Sequence, residues 1–181
     1  LGVKTDYLVN TKEGDKVRKW SIANTALSFN STDNTKNIPA SSGSYDDGQL
    51  TKMSTIDENG HAMIEYKDRD GKMILKKIQT DENPSAAHNG WLCTYYVYDD
   101  IGQLRFVIPP LAVSAMITAN NWILEQTIVN ELCFRYEYDS RLRLIAKKVP
   151  GTKWVYMIYD KRDRLVYTQD ANMRLKSPEQ W

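Results

Sequence analysis

The sequence predicts a mainly β protein: an antiparallel meander of hairpins forming a curved, open sheet, with one short helical insert. Three observations lead there. A unit of alternating aromatics followed by Asp-x-x-Gly recurs along the 181 residues. The stretches between these units alternate apolar and polar residues with the period of two that a pleated strand requires. The segment from 109 to 131 interrupts the period.

The unit is clearest at Tyr96-Val97-Tyr98-Asp99-Asp100-Ile101-Gly102-Gln103-Leu104. It returns as Tyr136-Glu137-Tyr138-Asp139-Ser140-Arg141-Leu142-Arg143-Leu144 and as Met157-Ile158-Tyr159-Asp160-Lys161-Arg162-Asp163-Arg164-Leu165. Upstream, Asp68-Arg69-Asp70-Gly71 keeps the turn, while Asp57-Glu58-Asn59-Gly60 and Tyr45-Asp46-Asp47-Gly48-Gln49-Leu50 echo it. The turn aspartates at 57, 68, 99, 139 and 160 are separated by near-multiples of about 10 or 11 residues, one strand plus one turn. An Asp carboxylate accepts a hydrogen bond from an amide two residues on, and a Gly three positions later adopts positive φ without a Cβ clash. Each Asp-x-x-Gly at 57, 68 and 99 is therefore predicted to be a tight turn between antiparallel neighbours. Leu142 and Asp163 stand at the Gly position. A left-handed Leu would cost on the order of 1 kcal/mol, which predicts a different turn type at 142.

Taken in order, residues 1–44 read as an N-terminal hairpin region and a polar loop. Strands at Asp6–Asn10 and Val17–Ile22 flank a Lys12-Glu13-Gly14-Asp15 turn, a third strand lies near Ala26–Phe29, and Asn30–Ser44 is a Ser-, Thr- and Asn-rich loop. Residues 45–181 form the repeat sheet. Strands end near Ile56, run from His61 to Lys67 and from Lys72 to Gln79, and resume after a longer loop at Trp91–Tyr98, with Cys93, Tyr95 and Val97 on one face and Tyr96 and Tyr98 on the other. Leu104, Phe106 and Ile108 then alternate against Arg105 and Val107. In the insert, about 110–131, Pro110 suits the first turn of a helix, and a second helix places Leu124, Ile128 and Leu132 on one face. Helices this short need a surface to lie on, and the sheet supplies it.

Composition narrows the function classes. The formal charge is +1, which gives the whole chain no bias toward nucleic acid. The last fifty residues hold 11 Lys plus Arg against 6 Asp plus Glu, read as turns and solvent faces of the final repeats. No stretch approaches the roughly 20 apolar residues of a membrane helix, so no membrane insertion is expected. Cys93 and Cys133 each precede their turn Asp by six residues. With one strand between two parallel-running equivalents their Cα atoms lie ~9–10 Å apart, beyond disulfide reach, so both are expected to be free and buried. There is no phosphate loop, HExxH, Cys-x-x-Cys or G-x-S-x-G, and neither His61 nor His88 has a nucleophile at motif spacing. Every Asp of the repeats has a turn to explain it. The expectation is no catalytic residue, no cofactor and no metal. Five Trp and eleven Tyr raise an alternative, binding of a glycan through aromatic faces, although the repeat itself accounts for many of the tyrosines.

These residues resemble the YD-repeat, or RHS (rearrangement-hotspot), family, whose pattern is aromatic-x-Tyr-Asp-x-x-Gly-Arg-Leu. The resemblance covers roughly residues 45–175 and is carried by Tyr98, Asp99, Gly102, Leu104, Tyr138, Asp139, Leu144, Tyr159, Asp160 and Leu165. Leu132-Cys133-Phe134-Arg135-Tyr136, Lys147-Lys148-Val149-Pro150-Gly151 and Tyr159–Val166 look like the N-terminal region of long RHS proteins of Bacteroidetes-type bacteria. Lys67 in place of Tyr departs from the pattern. The resemblance implies a non-enzymatic module of a β-shell in a large secreted or cell-surface protein, with the rest of that polypeptide and a C-terminal cargo, often a toxin, as partners. The start at Leu1 and the strand-like Pro178-Glu179-Gln180-Trp181 fit an excerpt of a longer chain. An excerpt of such a shell leaves an unpaired strand near Lys153–Tyr159 or Leu165–Gln169, open to self-association.

Overall fold

A computed structural model describes residues 2–22 and 38–176. The expected strand near Ala26–Phe29 lies outside the described residues. Ten strands form one antiparallel sheet and two form a separate ribbon. In chain order the large sheet takes β1 (Lys4–Val9), β4 (Thr51–Ile56), β5 (Ala62–Lys67), β6 (Met73–Gln79), β7 (Trp91–Tyr98), β8 (Leu104–Ile108), β9 (Phe134–Tyr138), β10 (Leu144–Lys148), β11 (Val155–Tyr159) and β12 (Leu165–Gln169). The ribbon is β2 (Arg18–Ser21) with β3 (Ala40–Ser44). From β4 onward each strand of the sheet pairs with its sequence neighbour, and β1 joins outside β4. β1 and β12 do not meet, so the sheet is open.

One turn mechanism builds the meander. The Asp99 amide donates to the Gln103 carbonyl at 3.0 Å, the Gly102 amide to the Asp99 carbonyl at 2.9 Å, and the Gln103 amide to the Asp99 carboxylate at 2.8 Å. The same pattern recurs at Asp57, Asp68, Asp139 and Asp160. The residue three beyond the Asp is left-handed at Gly60, Gly71 and Gly102, as expected, and equally at Leu142 and Asp163, both with φ 62°. The different turn type expected at 142 does not occur. Asp139 holds the amides of Arg141 (2.9 Å) and Arg143 (3.0 Å), so the carboxylate imposes the turn and the Leu bears its ~1 kcal/mol of strain.

A bulge follows each of the four turns that start at 68, 99, 139 and 160. Tyr98 pairs with Leu104 but Val97 with Phe106, leaving Arg105 as the extra residue. Ile74, Ile145 and Val166 are its counterparts. This corrects the simple alternation across β8: Arg105 and Phe106 are both buried because the bulge turns two successive residues inward.

One face of the sheet is covered. Tyr66, Leu75, Cys93, Tyr95, Val97, Phe106, Ile108 and Cys133 form the core with Val17 and Ile22 of the ribbon segment. The insert lays α2 (Pro110–Thr118) and α3 (Gln126–Leu132) on the same face, burying Ala112, Val113, Met116, Leu124 and Val129. Leu124, expected on the second helix, lies in the segment before α3; within α3 Val129 is buried, and Ile128 and Leu132 pack half-buried against the core. The opposite face stays open, with Ile78 and Leu92 each 46% exposed. Both cysteines are free and buried.

The N-terminal region departs from its expected hairpin. β1 and β2 do not pair; Lys12–Asp15 is a short helix, α1, and β2 pairs with β3, inside the expected polar loop. The cause is polar and long-range. Asp15, 2% exposed, accepts from the Thr11 amide (2.7 Å), Lys52 Nζ (2.6 Å) and Tyr66 Oη (2.8 Å), while the Asn10 side chain accepts from the Leu50 amide at 2.7 Å and donates to the Asp46 carbonyl at 2.9 Å. These bonds hold the end of β1 against β4 rather than against β2.

Candidate functional site

Because neighbouring strands alternate in direction, the turns at 68, 99, 139 and 160 share one rim of the sheet, two strands or ~10 Å apart. The turn at 57 and the connections β6–β7, β8–β9 and β10–β11 lie on the other rim, while the segment joining β1 to β4 leaves and re-enters the sheet at the first. The sequence-derived repeat residues converge on the first rim. Tyr98, Tyr138 and Tyr159 stand directly across from Leu104, Leu144 and Leu165 of their own hairpins. Each hairpin is also tied to the one before it: Tyr138 Oη donates to the Leu104 carbonyl (3.1 Å) and Tyr159 Oη to the Leu144 carbonyl (2.9 Å).

Cations complete the connection. Arg143 donates from Nε to Asp139 (2.7 Å), reaches Asp163 of the next turn through Nη1 (2.7 Å), and covers the Tyr159 ring at 5.0 Å. Lys72 lies 5.9 Å from the Tyr98 ring centroid in the same relation. Burial alone would raise the Asp139 pKa, but the hydrogen bonds from Arg143 and Arg141 hold it below the usual carboxylate range. The Asp160 carboxyl is held low chiefly by the Arg164 amide. The arrangement is a zipper along a rim, and its groups are engaged with one another.

Several buried polar groups were not legible as such in the sequence. Lys77 is fully buried and donates to the carbonyls of Ala86 (2.8 Å) and Ala87, with burial lowering its pKa to about 8. Arg135 is sandwiched between the Phe106 and Trp154 rings at 5.1 and 4.8 Å. Arg105 bridges Glu137 and Asp99. Arg135 and Lys148 correct the reading of the C-terminal cations as turn and solvent-face residues, since both lie on the covered face. The signal was present: Leu75 and Lys77, like Cys133 and Arg135, share strand parity.

His88 sits under the helical insert. Tyr95 Oη accepts the Arg18 amide (3.0 Å) and shares a hydrogen bond with His88 Nε2 (2.7 Å). Burial, reinforced by Lys77 and Arg18, pushes the His88 pKa down to about 3. Neutral and enclosed, it packs against Trp122 with ring centroids 4.9 Å apart. His61 lies elsewhere, 3.7 Å from Asp57 at an exposed turn. Among the described residues no group of three or more His, Cys, Asp or Glu could hold a metal ion.

A concavity rich in aromatics lies where the ribbon meets the rim. Its volume is 180 Å³, and Trp20, Tyr45 and Tyr98 line it with Asp68, Lys72 and Asp99. A shallower 500 Å³ groove adjoins it at Tyr45 and Asp68, where Lys19 lies 5.2 Å from the Tyr45 ring centroid. Aromatic faces beside carboxylates and amines can stack on and hydrogen-bond a polar ligand. Comparison with known proteins adds no identity: no family model matches the chain, and no curated protein matches it.

Proposed function

We propose that the chain is a non-enzymatic structural module of the RHS/YD-repeat kind, a section of β-wall in a large secreted or cell-surface protein. The rim carries this reading. Three consecutive two-strand hairpins, β7–β8, β9–β10 and β11–β12, share one turn design and are connected by Tyr and Arg contacts, a geometry that extends by adding further hairpins. The right-handed twist of strands makes a long wall of this kind coil, and a coiled wall encloses a volume. Its partners would be the remaining repeats of the same polypeptide and a C-terminal cargo, including a toxin for delivery. An antibody against residues 45–176, applied to fractions of the source cells, should detect a species far larger than this chain at the surface or in the medium. A cytosolic product of the chain's own mass would overturn the reading.

A second reading is favoured by the cleft at Tyr45 and Tyr98: a carbohydrate-binding or adhesion module on the same scaffold. Glycan-array retention that is lost in Tyr45→Ala would support it, and an array without signal would remove it.

A further inference from the structure

We infer that the two edges of the ten-stranded sheet are complementary and that copies of this chain associate head to tail, β12 of one copy adding to β1 of the next. The observations concern direction, face and position along the rim.

Ten antiparallel strands make an even number, so β1 and β12 run in opposite directions. A second copy in the same orientation as the first therefore presents its β1 antiparallel to β12, and the alternation continues without interruption. The rims also align. Val9 pairs with Thr51 near the rim of the Asp-x-x turns, and Leu165 follows the Asp160 turn on that same rim.

The faces match as well. Register partners lie on one face of a sheet. Leu8, Lys52, Tyr66, Leu75, Tyr95 and Ile108 form one such row, which marks Leu8 as a residue of the covered face. Tyr167 reaches the same face through Ile158, which shares strand parity with Tyr156, the partner of Ala146. Leu8 is 53% and Tyr167 54% exposed, an unusual loss of cover for residues on that face. Setting them opposite each other pairs Val9 with Val166, Tyr7 with Thr168 and Asp6 with Gln169. The apolar run of one edge then meets the apolar run of the other.

Neither edge is protected among the described residues. β1 contains no Pro and pairs with β4 over six consecutive residues without a bulge, which leaves a long regular outer ladder. α1 turns inward, its Lys12 amide donating to Asp47 at 2.6 Å. After β12, α4 (Ala171–Lys176) turns inward too: Arg174 Nη1 donates to the Gln169 carbonyl (3.2 Å), and its guanidinium covers the Tyr156 ring at 4.6 Å. The inference stands on edge geometry and does not depend on the wall reading.

Light scattering behind size exclusion tests it with two variants. Tyr167→Lys blocks β12 and keeps β1, while Leu8→Lys blocks β1 and keeps β12. The unmodified chain should increase in average mass with concentration, each variant alone should stay monomeric, and an equal mixture of the two should form a dimer that grows no further. Val166→Lys and Val9→Lys serve as a second pair if thermal unfolding shows either first variant to be misfolded. An unmodified chain that remains monomeric, or a blocked variant that still self-associates through its own intact edge, would overturn the inference.

Discussion

Exchanging the left-handed residues of two equivalent turns tests the claim that Asp, rather than Gly, dictates the turn. Gly102 has φ 83° and Leu142 φ 62°, in turns with the same hydrogen bonds. A non-Gly residue in this region costs ~1–2 kcal/mol, while Gly costs roughly 0.5–1 kcal/mol of additional chain entropy on folding. Leu142→Gly should therefore be neutral to stabilising by about 1 kcal/mol, since the Leu side chain is 48% exposed and has little packing to lose. Gly102→Val should destabilise by ~1–2 kcal/mol, because β-branching adds to the strain. A Cβ at 102 would also meet Lys72 Nζ at 2.8 Å, displacing a flexible side chain that moves at little cost. Urea unfolding at constant m-value reads both; for a chain of this size 1 kcal/mol corresponds to roughly 2–4 °C in Tm. The reasoning fails if Leu142→Gly destabilises by more than about 1 kcal/mol or if Gly102→Val has no effect.

The buried and hydrogen-bonded groups carry the remaining expectations. His88 is neutral in the fold with its pKa at about 3 against an ordinary value of 6.5, so below pH 6.5 the unfolded chain binds a proton that the folded chain does not. Stability should fall by ~2 kcal/mol between pH 7 and 5 and continue to fall toward pH 3, with the slope above pH 5 much reduced in His88→Gln. Carboxylates held low, Asp139 and Asp15 among them, contribute stability above their unfolded pKa and lose it as the pH drops through their depressed folded values, which places the steepest acid unfolding below about pH 4. Asp139→Ala, which removes two backbone caps and the Arg143 pair, should cost about 1–2 kcal/mol in urea unfolding, and Asp139→Asn less, because Asn retains the acceptor. Burial pushes the Cys93 and Cys133 thiols up to about 11 and about 12, so a thiol reagent at pH 7 should label neither in the native chain and both in denaturant without reductant.

The meander was legible because its determinants are local. Asp57, Asp68 and Asp99 each specify a turn within five residues, and strand alternation spans the intervals between them. The same locality explains the failures. β1 pairs with β4 across more than forty residues through Asn10 and Asp15, polar side chains whose partners the sequence does not point to. The turns at Leu142 and Asp163 were obscured by giving too much weight to Gly, and the inward Arg105 by a bulge that alternation does not reveal. Lys77, Arg135 and Glu137 are buried at core-facing positions, although charged side chains ordinarily stay in solvent unless paired. The aromatic cleft joins Trp20 and Tyr45 to Tyr98 only after the ribbon docks on the sheet.

The central claim, that the chain is an extensible wall of equivalent hairpins, is tested most directly by adding one. A copy of residues 149–169 placed between Gln169 and Asp170 supplies two strands, the Asp160 turn and its Tyr159 and Arg164 contacts, and preserves the antiparallel alternation. The lengthened chain should give a circular dichroism spectrum with proportionally more strand, unfold in one transition, and have a urea midpoint equal to or above that of the original, as nearest-neighbour stabilisation predicts. Exposed, protease-sensitive added residues with an unchanged or lowered midpoint would contradict the account.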